Sequence, residues 1–255
     1  MIILKIGGNI LNMPAALAEA LDYFAAIEGE AVLVHGGGRK ADAVIAEMGR
    51  VPKMIDGRRI TDALTLEIVT MVYAGLINTQ LVADLQARGR NAIGLSGADG
   101  NAILARKRPV NTIDYGFAGD VLGADAGMLG KLLKVGLTPV LCPITHDGQG
   151  QLLNTNADTI ANETAIAFAR AGHDLSLRYC FEFPGVMRDI HDADSWIPIL
   201  TPATYANFKA DGTIAGGMIP KLDNAFTAVA AGVGEVRIGN LAALRAGLGT
   251  VVKNS

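Results

Sequence analysis

Two lysines, one aspartate, a pair of arginines and several glycine runs carry the chemistry open to this sequence. The chain begins MIILKIGGNIL, with Lys5 inside an apolar run and Gly7 and Gly8 directly after it. A strand lysine ordinarily lays its stem on apolar surface and sends its ammonium to water, and paired glycines ordinarily make a tight turn. At the C-terminal end of a parallel strand they allow a second use, in which bare backbone N–H groups approach phosphate oxygens beside a cation. AVLVHGGGRKAD, residues 31–42, repeats the pattern with His35, Gly36, Gly37 and Gly38. Its glycines offer N–H groups where a strand ends and a helix starts, and His35 reads as a hydrogen-bonded structural histidine rather than a base. GRRITD, residues 57–62, sets Arg58 and Arg59 before a helix, either as solvated loop or as a fork for a carboxylate. In LNTNAD, residues 153–158, the polar residues either cap the next helix or act directly, Asn154 on a substrate and Asp158 on nearby lysines. GGMIPK, residues 216–221, again runs glycines into a helix, this one bearing Lys221. A solvated lysine is the plain reading there.

These groups need a scaffold that brings strand ends together. IILKI, AVLVH, AIGLS and TPVLCPI are short apolar runs of strand length, while PAALAEALDYFAAIE and the segment from about Asp62 to Ala87 are helical by apolar spacing and alanine content. Such alternation predicts an α/β fold, a mainly parallel open sheet sandwiched by helices. RPVNTIDYGFAGDVLGAD is rich in turn residues and reads as a hairpin excursion over one end of the sheet. A helix from NADTIANETAIAFARAG ends at Gly172, and a second series follows: DLSLRYCF, a loop, an amphipathic segment, KLDNAFTAVAAG and EVRIG. This predicts two lobes, 1–172 and 173–255, sharing a continuous sheet or a tight interface. The Asp62 to Ala87 helix is apolar around much of its circumference, so it is buried on several sides or covered by another copy of the chain.

Composition narrows the partners. Of 255 residues, half are hydrophobic and 18% charged, which excludes a disordered chain. A formal charge of -3 gives no reason to expect nucleic acid or an acidic membrane as partner. The longest uncharged stretch, residues 68–83, carries Thr, Asn and Gln and is short for a membrane span. Cys142 and Cys180 sit in apolar stretches and are expected as buried reduced thiols in a cytoplasmic protein. No cysteine or histidine spacing suggests a metal site. The glycine spacing is neither the dinucleotide fingerprint nor a Walker A loop; GMLGKLL, residues 127–133, lacks the Ser/Thr after its lysine.

Taken in order, K-x-G-G, V-H-G-G-G, G-x-R-x-T, N-x-N-A-D and G-M-x-x-K are all present, and across essentially the whole chain they resemble the amino acid kinase family, in the branch acting on N-acylated glutamate. The resemblance implies transfer of the ATP γ-phosphoryl group, with Mg²⁺ carried by the nucleotide phosphates, to the γ-carboxylate of N-acetyl-L-glutamate in arginine biosynthesis. It implies an acylglutamate lobe at 1–172 and a nucleotide lobe at 173–255. Lys5 and Lys221 would stabilise the transferring group, with Asp158 holding both. Gly36, Gly37, Arg59 and Asn154 would bind the acylglutamate; Gly7 and Gly8 would meet phosphate oxygens. Glu182, Phe183, Gly185, Thr213, Ile214 and Ala215 would line the nucleotide pocket, and no residue is assigned to a metal. The segment Tyr179-Cys180-Phe181-Glu182-Phe183-Pro184-Gly185-Val186 departs from the family's L-[ST]-D-V-x-G-V, with Glu182 in place of the aspartate. The overall form resembles a divergent branch in which a succinylated intermediate is an expectation, with Arg58 facing the additional carboxylate. Because the first strand begins at the chain start, without the extra N-terminal helix of arginine-inhibited hexamers, a homodimer without arginine feedback is expected, paired through the Asp62 to Ala87 helix. The alternatives are another small-acceptor kinase of the same fold, such as a carbamate kinase, or a non-catalytic nucleotide-binding protein.

Overall fold

A computed structural model of the chain describes residues 1–55, 57–192 and 194–254. Its centre is an eight-stranded sheet, in spatial order Ile199–Leu200, Thr250–Val252, Glu235–Gly239, Ser176–Cys180, Ile2–Ile6, Ala31–His35, Thr138–Leu141 and Ala92–Leu95. All neighbours run parallel except Glu235–Gly239 against Thr250–Val252. Ser176–Cys180 pairs directly with Ile2–Ile6, so the chain on both sides of Gly172 shares one sheet.

Strand alternation divides the core. From the central strands, Ile3, Val34, Leu177, Tyr179 and Ile238 enter one cluster, packed by Ile160, Ala161 and Phe168 of the helix Ala157–Arg170 and by Leu222 and Ala225 of the helix Met218–Ala230. Leu4, Ile6 and Leu33 enter the other, against Leu21 and Phe24 of the helix Pro14–Ala25 and Leu81 and Leu85 of the helix Asn78–Ala87. Period two puts Lys5 on the first face, beside Ile3, where the helix Ala157–Arg170 lies. The parallel strands all end at one edge, where their glycine loops gather.

The expected hairpin is present but belongs to a larger unit. Ile103–Lys107 and Ala118–Ala124 pair antiparallel, and Ile144–His146 and Leu152–Thr155 complete a closed four-stranded sheet. A small hairpin, Met54–Ile55 with Arg58–Arg59, stands over the site.

The helix over residues 63–87 is continuous, but its middle, Met71–Ile77, is a π-helix. At 25 residues, with a mean hydropathy of 1.4 in its most apolar window, it is long and apolar enough to cross a membrane, more than the uncharged stretch inside it suggests. Here Ile68, Val69, Val72, Tyr73, Leu81 and Leu85 are core residues, while Leu64, Met71 and Leu76 are exposed. Cys142 and Cys180 are buried free thiols, and burial pushes each thiol up to about 12.

Candidate active site

The lysine inside the first strand has its explanation 2.6 Å away. Lys5 Nζ meets Asp158 Oδ1, and Lys221 Nζ donates to Asp158 Oδ2 at 3.0 Å. Asn156 caps the helix Ala157–Arg170 by accepting from the N–H groups of Asp158 and Thr159, which places Asp158 in the first turn facing the strand ends. The side chains are only 10%, 19% and 13% exposed for Lys5, Asp158 and Lys221. Burial alone would favour a neutral carboxyl, but the two ammonium groups outweigh it and hold Asp158 well below the usual carboxylate range. Lys221 is lowered by burial and by Lys5, against the opposing pull of Asp158 and Glu182. The cluster sets two lysines against one carboxylate at the mouth of the sheet.

Two cavities border it, and another shares lining residues with both. One of about 360 Å³ is lined by Lys5, Gly7, Gly8, Arg39, Glu182 and Lys221, among others. A second, about 170 Å³, is lined by Gly36, Gly37, Arg59, Tyr73, Asn154 and Asn156 with their neighbours. The third, about 650 Å³, runs from Gly57 and Arg58 past Asp158 to Gly216, Gly217, Lys221 and Asn224.

The glycine N–H groups divide into two sets. Those of Gly7 and Gly36 are taken up by the Cys180 and Ile6 carbonyls, at 3.1 and 3.2 Å. The expectation that these two N–H groups meet the ligand is corrected, because they stitch the loops to the sheet. Gly8 and Gly38 each open a helix, so neither N–H has an intrahelical acceptor. Gly8 lies against the backbone nitrogens of Gly37 and Gly38, since a Cβ on it would sit 4.0 and 3.9 Å from them. The result is a concave set of donors suited to an anion.

Arg59 is the buried arginine of the GRRITD motif. Its guanidinium binds Asp42 at 2.5 Å and the Gly38 carbonyl at 3.1 Å, and it lies against Tyr73. Those contacts leave part of the fork turned to the cavity. Asn154 donates to Thr61 Oγ1, which itself donates to the Arg59 carbonyl, so Asn154 and the hairpin are tied together. Arg58 is half-buried and lines two of the cavities. Burial and the nearby Arg108 lower it, while Asp120 and Tyr115 oppose them. His35 is fully buried and accepts from Asn78 at Nε2 while its Nδ1 bonds the Gly36 carbonyl, which fixes the neutral Nδ1–H form. Burial lowers it to about 4.

Not every expected residue converges. Phe183, Gly185, Thr213, Ile214 and Ala215 line none of these three cavities. Ile214 is core, and Gly185 packs on Thr250 and Trp196. Conversely, Arg39, Asp42, Tyr73 and Tyr179 touch the site without any sequence signal that assigns them a role there. They arrive through space, by helix turns and strand pairing, and carry no motif of their own.

A cationic, N–H-rich strand-end cradle joined to an arginine–asparagine pocket on a mainly parallel sheet defines the class. The chain belongs to the amino acid kinase family, whose model matches residues 1–240. It is 55% identical over 251 residues to the acetylglutamate kinase of Phocaeicola vulgatus, an alignment covering 98% of this chain and 97% of that one. Among solved structures, smu.665 from Streptococcus mutans UA159 is similar with a TM-score of 0.77 and 26% identity, over 100% of this chain and 98% of that one. A Giardia carbamate kinase shares the fold alone, with a TM-score of 0.67 and 12% identity over 100% and 99% of the two chains.

Proposed function

We propose that this chain transfers the γ-phosphoryl group of ATP to the γ-carboxylate of N-acetyl-L-glutamate, forming an acyl phosphate in arginine biosynthesis. The observation that carries the proposal is the Lys5–Asp158–Lys221 cluster, which lines two cavities that each adjoin the pocket of Arg59 and Asn154. Identity to an acetylglutamate kinase over nearly the full length supports it.

In this reading the acylglutamate lies in the lobe 1–172, with its α-carboxylate on Arg59 and a polar group on Asn154. The nucleotide lies toward the lobe 173–255, in the cavity bordered by Gly216, Gly217 and Asn224 and reaching past Lys221 toward the one bordered by Glu182. The free N–H groups of Gly8, Gly37 and Gly38 donate to the transferring group. A γ-carboxylate oxygen attacks the γ-phosphorus, the bond to the bridging oxygen breaks, and ADP leaves with that electron pair. No proton moves, so no general base is needed, which matches a buried neutral His35. Lys5 and Lys221 flank the transferring group and stabilise its charge, as phosphoryl transfer requires. The donor set fits ATP. Mg²⁺ comes on the nucleotide's own phosphates and water and offsets their charge; among the described residues no group of three or more His, Cys, Asp or Glu could hold a metal ion.

Arg58 supports a second reading of the acyl group. It borders the cavity that also holds Arg59 and Asn154, which supports a pairing with the extra carboxylate of an N-succinyl group. Exposed Leu64, Met71 and Leu76 on the long helix support a homodimer, and a cytoplasmic location goes with the reading.

The test is ADP release with N-acetylglutamate and N-succinylglutamate in parallel, with hydroxylamine trapping any acyl phosphate. Hydroxamate from either substrate, lost in Lys221→Ala, is the expected result, and the ratio names the acyl group. An unchanged ratio in Arg58→Ala removes the succinyl reading. No hydroxamate from a folded protein that binds ATP removes the kinase reading. Sedimentation as a hexamer contradicts the dimer.

A further inference from the structure

Tyr179 is in register with Lys5 across the parallel pair Ile2–Ile6 and Ser176–Cys180, on the sheet face covered by the helix Ala157–Arg170. Other central strand positions on that face are aliphatic: Ile3, Val34, Leu177 and Ile238. A tyrosine among them brings a hydroxyl that must find a partner, and it finds one in the machinery. Its hydroxyl donates to the Asp158 carbonyl at 3.3 Å, and Lys221 Nζ stands 5.3 Å from the centre of its ring. Tyr179 has no exposed surface. The same side chain thus touches both the turn that carries Asp158 and the ammonium that Asp158 binds.

We propose that Tyr179 is a positioning residue for phosphoryl transfer, its ring seating the charged Lys221 ammonium and its hydroxyl fixing the first turn of the Asp158 helix. The inference rests on the proposed role of Lys221. Among the described residues Lys221 has one hydrogen bond to protein, to Asp158, and that carboxylate is shared with Lys5. A single shared bond fixes only one direction of the ammonium, and the negative face of an aromatic ring adds a second contact that favours the charged form. The charged or titratable groups around Lys221 are Lys5 from the first strand, Asp158 from the helix, Glu182 from the loop after Cys180 and Tyr179 itself, with Arg39, Asp42 and Arg59 across one cavity it borders and Arg58 across the other. Of these, Lys5 opposes the ammonium, and Asp158 and Glu182 favour it. Weakening the ring's contribution therefore lowers the Lys221 pKa, and the alkaline limb of turnover moves to lower pH.

The experiment replaces Tyr179 with Phe and then, at the same position, with mono-, di- and trifluorinated phenylalanine, which keeps the shape and drains the ring face of negative charge. Tyr179→Leu is made alongside, and Lys221→Ala serves as the control. Hydroxamate formation is followed across pH with acylglutamate and ATP each varied. Phe is expected to lose about threefold in kcat through the missing hydroxyl, and trifluorination a further factor of about ten. KM for both substrates should hold while the alkaline limb shifts downward stepwise. A flat series, with Lys221→Ala inactive, overturns the role of Tyr179 and leaves the kinase reading standing. Full activity in Lys221→Ala overturns both. If the leucine variant fails to fold, the fluorinated series still decides, because its members are nearly isosteric.

Discussion

Gly37 and Tyr73 pack so closely that residue 37 has no room for a side chain. A Cβ there would lie 2.9 Å from Tyr73 Cδ1 and 2.6 Å from Ile77 Cδ1, and the residue has φ 154°. Tyr73 and Ile77 both belong to the π-helical stretch, which presses that part of the helix against the glycine loop. Gly37→Ala is therefore expected to cost about 1–3 kcal/mol of stability from backbone strain. Displacing the Gly37 and Gly38 N–H groups should also lower kcat by roughly 100-fold. Thermal unfolding and steady-state kinetics on one preparation separate the two effects.

Asp158 gives a pH-dependent prediction. Its carboxyl is depressed in the folded state by two lysines, so its stabilising contribution is full above the unfolded value near 4 and is lost as pH falls below that. Asp158→Asn should cost about 3–5 kcal/mol near neutral pH, because it strands two partly buried ammonium groups. The deficit against the parent protein should narrow in acid. Denaturant titrations at pH 7 and pH 3 check the sign, and kcat at neutral pH should fall by roughly 100-fold.

His35 behaves in a separate window. Its folded value is lowered to about 4, so between the ordinary 6.5 and 4 the unfolded chain takes up a proton that the native one refuses. Stability should therefore drop as pH falls through that range, by about 3 kcal/mol from this group alone. His35→Gln removes the titration and should flatten the stability profile between pH 6.5 and 4. A slope unchanged by the substitution would assign the acid sensitivity to other groups.

Arg59 holds Asp42 and the Gly38 carbonyl while presenting the rest of its fork to the cavity. Arg59→Lys keeps the charge and loses the planar fork. KM for the acylglutamate is expected to rise by at least roughly tenfold, with KM for ATP little changed. A larger effect on ATP would place the arginine on the wrong substrate.

Much of this was legible in the sequence, for local reasons. Lys5, Asp158 and Lys221 each sit beside a feature with its own mechanism, a glycine pair at a strand end, a helix start and a glycine-led helix, but their joint role is what the resemblance of the ordered motifs implies. The sheet was legible because its inner strands are short apolar runs. What escaped depends on pairing at a distance. Tyr179 matters because it lies in register with Lys5, 174 positions earlier in the chain, and nothing in LRYCFEF announces that. Asp42 reads as a surface residue of an amphipathic helix until the hairpin lays Arg59 on it. The π-helical turn at Met71–Ile77 leaves no mark in apolar periodicity. Ile214, expected in the nucleotide pocket, is an apolar residue in a polar loop that folds inward to the core. The N–H groups of Gly7 and Gly36 looked free because a sequence cannot show that Cys180 and Ile6 supply their acceptors.

In the proposed reaction Lys5 and Lys221, held by Asp158, carry a phosphoryl group from ATP to a carboxylate. Single-turnover rapid quench with γ-labelled ATP and N-acetylglutamate tests it most directly, in the parent protein and in Lys5→Ala and Lys221→Ala at saturating substrates. Label is expected in a hydroxylamine-sensitive acyl phosphate for the parent, with formation slowed by roughly a hundredfold or more in each variant while ATP still binds. Transfer at the parent rate in both variants, or label appearing only as free phosphate in the parent, would contradict it.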